Sequence, residues 1–237
     1  MSKLNVQSIF DSIDGEANGF DGAGQLTTFI RLKGCNLRCS YCDTEYSQES
    51  APYNWMTIDE VIEQVHFNKV TITGGEPLLQ QKAVKELCSN LQPLLPPANH
   101  HDISIETNGT IQVRYRWSGV RYIVDYKLPS SGCEKDMNPD AFDFLYTTDV
   151  IKFVIADDKD YSRAVHLINE NPQWKAKKVF SPAISIKSDP FILQHPMPEV
   201  DICWPARLAE RMIRERVNAN FSLQLHKILW PGAKEER

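Results

Sequence analysis

Three cysteines lie close together in the segment RLKGCNLRCSYCDTEY, residues 31–46, at positions 35, 39 and 42. Cysteine thiolates bind zinc and iron–sulfur clusters, and a C-x-x-x-C-x-x-C loop is short enough for its three sulfurs to reach one metal centre. The first histidine, His66, comes well after this loop. Because a structural zinc site takes four protein ligands, the segment by itself is one ligand short.

The missing fourth ligand leaves three interpretations open. A zinc site or a fully protein-bound cluster would need another thiol, which would have to come from Cys88, Cys133 or Cys203. Alternatively, three thiolates hold three irons of a cubane cluster, and the fourth iron stays open for a small molecule. Cys88 lies on the apolar face of a predicted helix and the other two are isolated, so we expect all three to be packing residues.

Size and composition restrict the class of protein. The chain has 237 residues, of which 42% are hydrophobic, so a single domain over residues 1–237 is predicted. A net charge of -5 without a long Lys/Arg run argues against nucleic-acid binding. The amino terminus lacks the apolar core of a signal peptide, and no apolar run approaches the ~20 residues of a membrane span. We therefore expect a cytoplasmic protein without membrane contact, where a disulfide framework is not favoured.

The elements that must position the cysteines alternate between β-branched strands and amphipathic helices. Strands are predicted at 26–34, 69–73, 102–110, 121–129, 150–156, 178–185 and 221–230. Helices are predicted at 57–67, 80–92, 157–171 and 205–217. The first helix begins with a capping box, Thr57 and Glu60. The last helix is predicted to bury Leu208, Met212, Ile213 and Val217. This alternation implies an α/β fold with parallel strands and right-handed crossovers, an open or closed β/α barrel.

Unusual polar segments follow these strands. They are GCNLRCSYC, TGGEP, ETNG, DYKLPSS and SPAIS. In α/β barrels the loops after the strands gather on one face, so we expect these segments to surround one cavity. Glu106 and Asn108 of ETNG could contribute to that cavity or only shape a turn.

The cysteine spacing, together with TGGEP at 73–77, resembles the radical S-adenosylmethionine (SAM) superfamily. The resemblance implies a [4Fe-4S] cluster whose open iron binds the amino and carboxylate groups of SAM. It also implies that Tyr41 packs by the adenine and that the Gly74–Pro77 edge meets the amino group of SAM. One electron then cleaves the S–C5′ bond of SAM, and the 5′-deoxyadenosyl radical abstracts a hydrogen atom from the substrate. We expect the glycines to let the ligand approach the backbone closely.

Four features along nearly the whole chain are similar to the 7-carboxy-7-deazaguanine synthase family within that superfamily. They are FDSIDGE (10–16), TTFIRLKGCNLRCSYCDTEY, ETNGT with DYKLPSS, and LQLHKILW. The resemblance implies a trimmed radical SAM barrel. It also implies conversion of 6-carboxy-5,6,7,8-tetrahydropterin to 7-carboxy-7-deazaguanine, on the way to queuosine. That reaction is a radical ring contraction with loss of ammonia, aided by Mg²⁺.

The resemblance assigns site residues by position. The cluster ligands are Cys35, Cys39 and Cys42. The SAM residues are Tyr41, Cys42, Asp43, Gly74, Gly75, Glu76, Asp125, Tyr126 and Lys127. The substrate residues are Ile13, Asp14, Gly15, Glu16, Arg31, Thr73 and His226. Thr44 offers Mg²⁺ a hard oxygen, and Arg31 can pair with the substrate carboxylate. Residues 1–25 would contact substrate, and residues 219–237 would close the site.

Two positions depart from the family pattern. Asp14 stands where the family commonly has glutamine, and an acid beside a carboxylated substrate must face an N–H group or a cation. The tail PGAKEER runs past the usual ending, which puts a contact of the terminal carboxylate with substrate in doubt. The resemblance further implies a homodimer and a flavodoxin- or ferredoxin-type electron donor. Two alternatives remain, a glycyl-radical activating enzyme and a metal module without catalysis.

Overall fold

The computed structural model describes residues 2–15, 23–92, 103–113, 116–117, 119–184 and 203–230. Within these residues the strands are β1 (Lys3–Asp14), β2 (Gln25–Leu32), β3 (Trp55–Thr57), β4 (Val70–Gly74), β5 (Ile103–Thr107), β6 (Val120–Asp125), β7 (Val150–Ile155), β8 (Lys177–Pro182) and β9 (Asn220–Phe221). The α-helices are α1 (Ile58–Ile62), α2 (Gln81–Leu91), α3 (Asp158–Glu170), α4 (Cys203–Glu215) and α5 (Leu225–Leu229). No helix in these ranges is both long enough and apolar enough to cross a bilayer.

All nine described strands form one sheet in the order β3-β1-β2-β4-β5-β6-β7-β8-β9. Neighbouring strands from β2 to β9 are parallel, whereas β1 is antiparallel to both β2 and β3. The sheet has two ends and is therefore open. The predicted α/β fold with a trimmed barrel of parallel strands is confirmed.

One face of the sheet packs against helices and holds the core. Ile30, Ile72, Ile105 and Tyr122 lie side by side on β2, β4, β5 and β6, and each is fully buried. Burying each of these side chains contributes about 1.5–3 kcal/mol. Because side chains alternate along a strand, their neighbours project to the other side. We call that side the polar face; it carries Arg31, Thr73, Asp125 and Lys152.

The long strand β1 is not among the predicted strands. Leu4 and Val6 are buried in the core, but the pairing with β2 shifts between Val6 and Ser8. After this irregularity the side chains that point to the core are at odd-numbered instead of even-numbered positions, so Ile9 packs against the core. A bulge of this kind breaks the alternation of period two on which a sequence-based strand prediction depends.

Three other predictions of local structure need correction. The prediction of a strand over 221–230 is wrong, because the chain leaves the sheet after Phe221 and forms α5. Ile213 is 76% exposed rather than inward, whereas Leu208 and Met212 are buried. Helix α1 keeps its predicted capping box but ends at Ile62, since the following chain turns toward β2, where the His66 N–H donates to Thr28 Oγ1 at 3.0 Å.

Candidate active site

The cysteine loop follows β2 and is fixed by the backbone of its surroundings. The N–H groups of Gly34 and Cys35 donate to the carbonyls of Ser47 and Gln48, each at 2.8 Å. From the other side, the Glu76 N–H donates to the Gly34 carbonyl at 2.7 Å. The ends of β2 and β4 therefore hold the cysteine loop and the TGGEP turn against each other, as the sequence predicted.

The three thiols of the loop are suited to an iron–sulfur cluster. The Leu37 N–H donates to Cys35 Sγ at 3.4 Å, and the Thr44 hydroxyl lies 3.7 Å from Cys42 Sγ. Burial raises the pKa of the Cys35 thiol and raises that of Cys39 to about 12, so these thiolates form when metal replaces the proton. Donors aimed at sulfur are usual around iron–sulfur centres.

The alternatives for the metal centre can be compared with this geometry. Among the described residues, no group of three or more His, Cys, Asp or Glu side chains is close enough to hold a single metal ion. Cys88 is 1% exposed in the core beneath α2, as predicted for a packing residue. Cys133 is also buried but contacts Cys39, and the side chain of Cys203 lies outside the described set.

The glycines of TGGEP are required by neighbouring backbone, which is a reason that the sequence interpretation did not give. A Cβ on Gly74 would lie 2.2 Å from the Leu32 carbonyl oxygen, and one on Gly75 would lie 2.1 Å from that of Gly34. Gly74 also has a φ of +133°, which side chains rarely adopt. Both glycines thus allow the turn to approach the cysteine loop directly.

Glu76 joins the TGGEP turn to the end of β5. Its fully buried carboxylate accepts hydrogen bonds from Leu78 N–H (2.9 Å), Thr107 Oγ1 (2.7 Å) and Asn108 N–H (2.7 Å). Burial raises the pKa of Glu76, and these donors oppose that rise. The side chain therefore has a structural task, and only the backbone of the turn stays available to the SAM contact predicted for residues 74–76.

We expect Glu76→Gln to destabilise the protein, because the new amide nitrogen would face hydrogen-bond donors in a buried site. The expected loss is about 2–3 kcal/mol, or about 5–10 °C in Tm for a chain of this size. Thermal unfolding followed by circular dichroism measures it. Glu60→Gln, which alters an exposed capping residue, is the matched control and should cause a smaller loss. Equal Tm changes in both variants would contradict the role given to Glu76.

Asp125, Lys127 and Tyr41 meet where the sequence predicts the SAM site. Lys127 Nζ donates to Asp125 Oδ2 at 2.8 Å, and Lys152 Nζ lies 3.7 Å from Asp125 Oδ1. Burial works to raise the pKa of Asp125, but the two lysines outweigh it and lower the pKa. Asp125 Oδ1 and Tyr41 Oη are buried without a hydrogen-bond partner in the described structure. Such atoms are available to the hydroxyls and amines of a bound molecule.

The Tyr126 side chain points away from the side on which its neighbours Asp125 and Lys127 lie. Its side chain is 3% exposed and packs against Phe142, Phe153 and Trp174 on the helix-covered face. Because side chains alternate, Asp125 and Lys127 point to the polar face while Tyr126 points away. Only the backbone of Tyr126 can therefore face a ligand there.

Arg31 and Asp43 form the part of the polar face next to the cysteine loop. The Arg31 guanidinium lies over the rings of Phe10 (5.4 Å) and Tyr46 (5.8 Å). Its Nε is buried with no hydrogen-bond partner among the described residues. Partial desolvation tends to raise the pKa of Asp43, but Lys227 and the other positive groups around it lower the pKa overall. This region is rich in cations and suits an anionic ligand.

Helix α5 lies across this region. Lys227 Nζ is 3.4 Å from Asp43 Oδ2, and His226 contributes to the positive potential at the same carboxylate. At the other end of the site, a Cβ on Gly15 would come within 2.9 Å of Leu225 Cβ. The end of the N-terminal strand and the C-terminal helix are thus in direct contact.

The remaining predicted substrate residues take different positions. Asp14 is 1% exposed; its Oδ2 accepts from Thr71 Oγ1 at 3.1 Å and lies 3.5 Å from Lys69 Nζ. The expected cation beside this acid is therefore Lys69. Thr73 donates to Glu106 Oε2 at 2.8 Å on the polar face. The Ile13 side chain points to the opposite face of β1 from Asp14. Glu16 lies outside the described residues.

Comparison with known proteins agrees with this geometry. Residues 29–125 match the family model of the radical SAM superfamily. A 7-carboxy-7-deazaguanine synthase of Clostridium acetobutylicum is 35% identical over 93% of this chain and 93% of its own. This chain belongs to the 7-carboxy-7-deazaguanine synthase family. A relative of the same name from Methanospirillum hungatei is 34% identical over 96% of this chain and 86% of its own. The crystal structure of QueE from Escherichia coli shares the fold, with a TM-score of 0.65 and 21% identity over 94% of each chain.

As a member of this family the chain is a radical SAM enzyme, and the structure adds residues to the site that the sequence interpretation missed. Lys227 lies 3.4 Å from Asp43 Oδ2, and the charge of Lys152 helps to lower the pKa of the same carboxyl, although neither lysine was predicted. A signal for Lys152 was present in the sequence, because a lysine in the middle of the otherwise apolar strand VIKFVI has no packing reason to be there. Lys227 had no such signal, since α5 was taken for a strand.

Proposed function

We propose that this enzyme converts 6-carboxy-5,6,7,8-tetrahydropterin to 7-carboxy-7-deazaguanine, by radical ring contraction with loss of ammonia. The family membership supports the reaction. The observation that carries the assignment is the buried, unpartnered Nε of Arg31, which lies on the polar face beside the cysteine loop. A carboxylated substrate would supply the acceptor that Arg31 Nε lacks among the described residues.

The cofactor site uses residues from three loops. Cys35, Cys39 and Cys42 would hold a [4Fe-4S] cluster. Tyr41 and Asp125 would contact SAM through oxygens that have no hydrogen-bond partner among the described residues. When bound, the cluster and SAM supply the radical that abstracts hydrogen from the substrate. The protein's own part is to orient the substrate and to exclude water from the polar face.

The chain's residues orient the substrate by charge. Arg31 would form a paired contact with the carboxylate, and the cations around Asp43 would hold that aspartate ionised beside it. Helix α5, with His226 and Lys227, covers the region and keeps solvent away from the reacting atoms. In this arrangement Thr73 and Glu106 would line the substrate site on the β4–β5 side.

Thr44 is the proposed Mg²⁺ ligand. Its hydroxyl lies 3.7 Å from Cys42 Sγ, and the half-exposed Asp43 precedes it in the chain. Mg²⁺ takes few protein ligands and completes its shell with substrate oxygens and water. We expect Thr44→Ala to lower the Mg²⁺ dependence of product formation while uncoupled SAM cleavage continues. Thr44→Ser, which keeps the hydroxyl, is the control. A Mg²⁺ titration of turnover that is unchanged in Thr44→Ala would contradict the assignment.

One assay tests the function against its alternatives. The full-length protein is reconstituted with iron and sulfide without oxygen, then given SAM, dithionite, Mg²⁺ and the carboxylated tetrahydropterin. Deazaguanine product, detected by chromatography and mass spectrometry, is the expected result. Deoxyadenosine without pterin turnover would favour a glycyl-radical activating enzyme, and intact SAM would favour a metal module without catalysis.

The wider setting follows from the family resemblance. We infer a homodimer in the cytoplasm, reduced by a flavodoxin- or ferredoxin-type protein, with no nucleic-acid partner. Size-exclusion chromatography with light scattering tests the dimer. Replacing dithionite by a reduced flavodoxin or ferredoxin in the assay tests the electron donor.

A further inference from the structure

Asn108, which follows β5, directs its side-chain amide at the cysteine loop. It is 7% exposed; its Nδ2 donates one hydrogen to Asn36 Oδ1 of the same loop at 2.9 Å and lies 3.7 Å from Cys35 Sγ, toward which its second hydrogen is available. Its backbone N–H is held by Glu76, and its Oδ1 accepts from both Thr110 N–H (3.1 Å) and Thr110 Oγ1 (2.7 Å). Because only an oxygen can accept from that N–H, the orientation of the amide is fixed with its nitrogen toward Cys35.

Cys133 approaches the loop from the segment after β6. It is 5% exposed, and its thiol lies close enough to Cys39 to raise the pKa of that thiol. The backbone places it there, because the Ser40 N–H donates to the Ser131 carbonyl at 3.0 Å. The segment is anchored in turn by Asp160, whose Oδ1 accepts from a neighbouring backbone N–H at 3.0 Å. Cys133 is therefore held in place against a predicted cluster ligand and is not a freely mobile thiol.

Both groups must act as donors once a cluster is bound. Metal-bound Cys35 and Cys39 are thiolates without a proton, so they can only accept hydrogen bonds. The Cys133 S–H group and the Asn108 amide are then the groups placed to donate to two of the three ligand sulfurs. Reduction of a cluster adds negative charge that is shared with its sulfurs, and hydrogen bonds to sulfur stabilise that charge.

We propose that Asn108 and Cys133 tune the iron–sulfur cluster by donating hydrogen bonds to Cys35 and Cys39, which makes its one-electron reduction easier. The inference rests on the proposed function, since it requires a cluster on this loop. It gives Asn108 a role beyond shaping a turn and Cys133 a role beyond packing. Lys127 adds positive charge near Cys39 and acts in the same direction.

A redox titration of the reconstituted full-length protein, followed by electron paramagnetic resonance (EPR), tests the proposal. We expect Cys133→Ala and Asn108→Ala each to lower the ratio of reduced to oxidised cluster at a fixed potential. The expected change is about tenfold, or about 59 mV for a one-electron couple. Cys133→Ser keeps a donor and should stay close to the wild-type midpoint. Cys88→Ala, altered in the distant core, is the matched thiol control and should not shift it.

The outcomes separate this inference from the proposed function. If both alanine variants have the midpoint reduction potential of the wild-type cluster, the tuning role is overturned and the proposed function is unaffected. Complete cluster loss in Cys133→Ala would make Cys133 a fourth ligand, which would overturn both. If the EPR spectrum of the wild-type cluster does not change when SAM is added, the proposed function alone is overturned. The midpoint reduction potentials of the variants could still be compared. If Asn108→Ala does not fold, the Cys133→Ala and Cys133→Ser pair decides.

Discussion

Replacing any one of Cys35, Cys39 or Cys42 by alanine is expected to abolish both the cluster and SAM cleavage. The three thiols lie on one short loop, and each is expected to bind one iron of the cluster. A loop with two thiolates leaves a second iron without a protein ligand. Iron analysis, visible absorbance and deoxyadenosine formation after anaerobic reconstitution are the measurements, and deoxyadenosine should fall below detection.

The control for this series is Cys88→Ala. Cys88 is buried on α2 within the core, so its loss should leave the iron content and the absorbance unchanged. Loss of the cluster in this variant would mean that four thiols are used and that the fourth iron is not open. A normal cluster in the Cys39→Ala variant would remove the three-cysteine assignment itself.

Replacing Arg31 by methionine is expected to lower kcat/KM for the pterin about 10- to 100-fold, mainly through KM. A hydrogen-bonded contact between a charged pair contributes about 1.5–3 kcal/mol, and each 1.4 kcal/mol corresponds to a factor of ten. Methionine can retain much of the packing against Phe10 and Tyr46 but has no donor. Steady-state kinetics with saturating SAM measure the change, while SAM cleavage without pterin should persist.

Two control variants isolate the role of Arg31. Arg31→Lys keeps the charge but loses the forked geometry, so it should recover only part of the loss. Arg214→Met removes a highly exposed arginine on α4 and should leave the pterin KM unchanged. A wild-type KM in Arg31→Met would show that the substrate carboxylate binds elsewhere. Equal losses of kcat and of uncoupled SAM cleavage would instead indicate damage to the cofactor site.

Much of the fold could be predicted because its signals are local. The buried strands β2, β4, β6 and β7 are short apolar runs, and their spacing by helical segments implies parallel order. Strand β1 escaped prediction, since its bulge shifts the inward positions partway along the strand. Helix α5 escaped for a different reason: its sequence alternates like a strand, but its place is decided by packing against Gly15.

The sequence by itself predicted which residues would hold the cluster, because Cys35, Cys39 and Cys42 belong to one short loop whose spacing limits what it can bind. It also determined the family, through motifs spread along the chain. Only the tertiary structure decided which distant residues meet these motifs. The charge of Lys152 acts on Asp43. Asn108 and Cys133 lie beside the cysteines of the loop, and Gly75 meets the backbone of Gly34. Such contacts depend on strand register and crossover packing, which bring together residues that no local spacing relates.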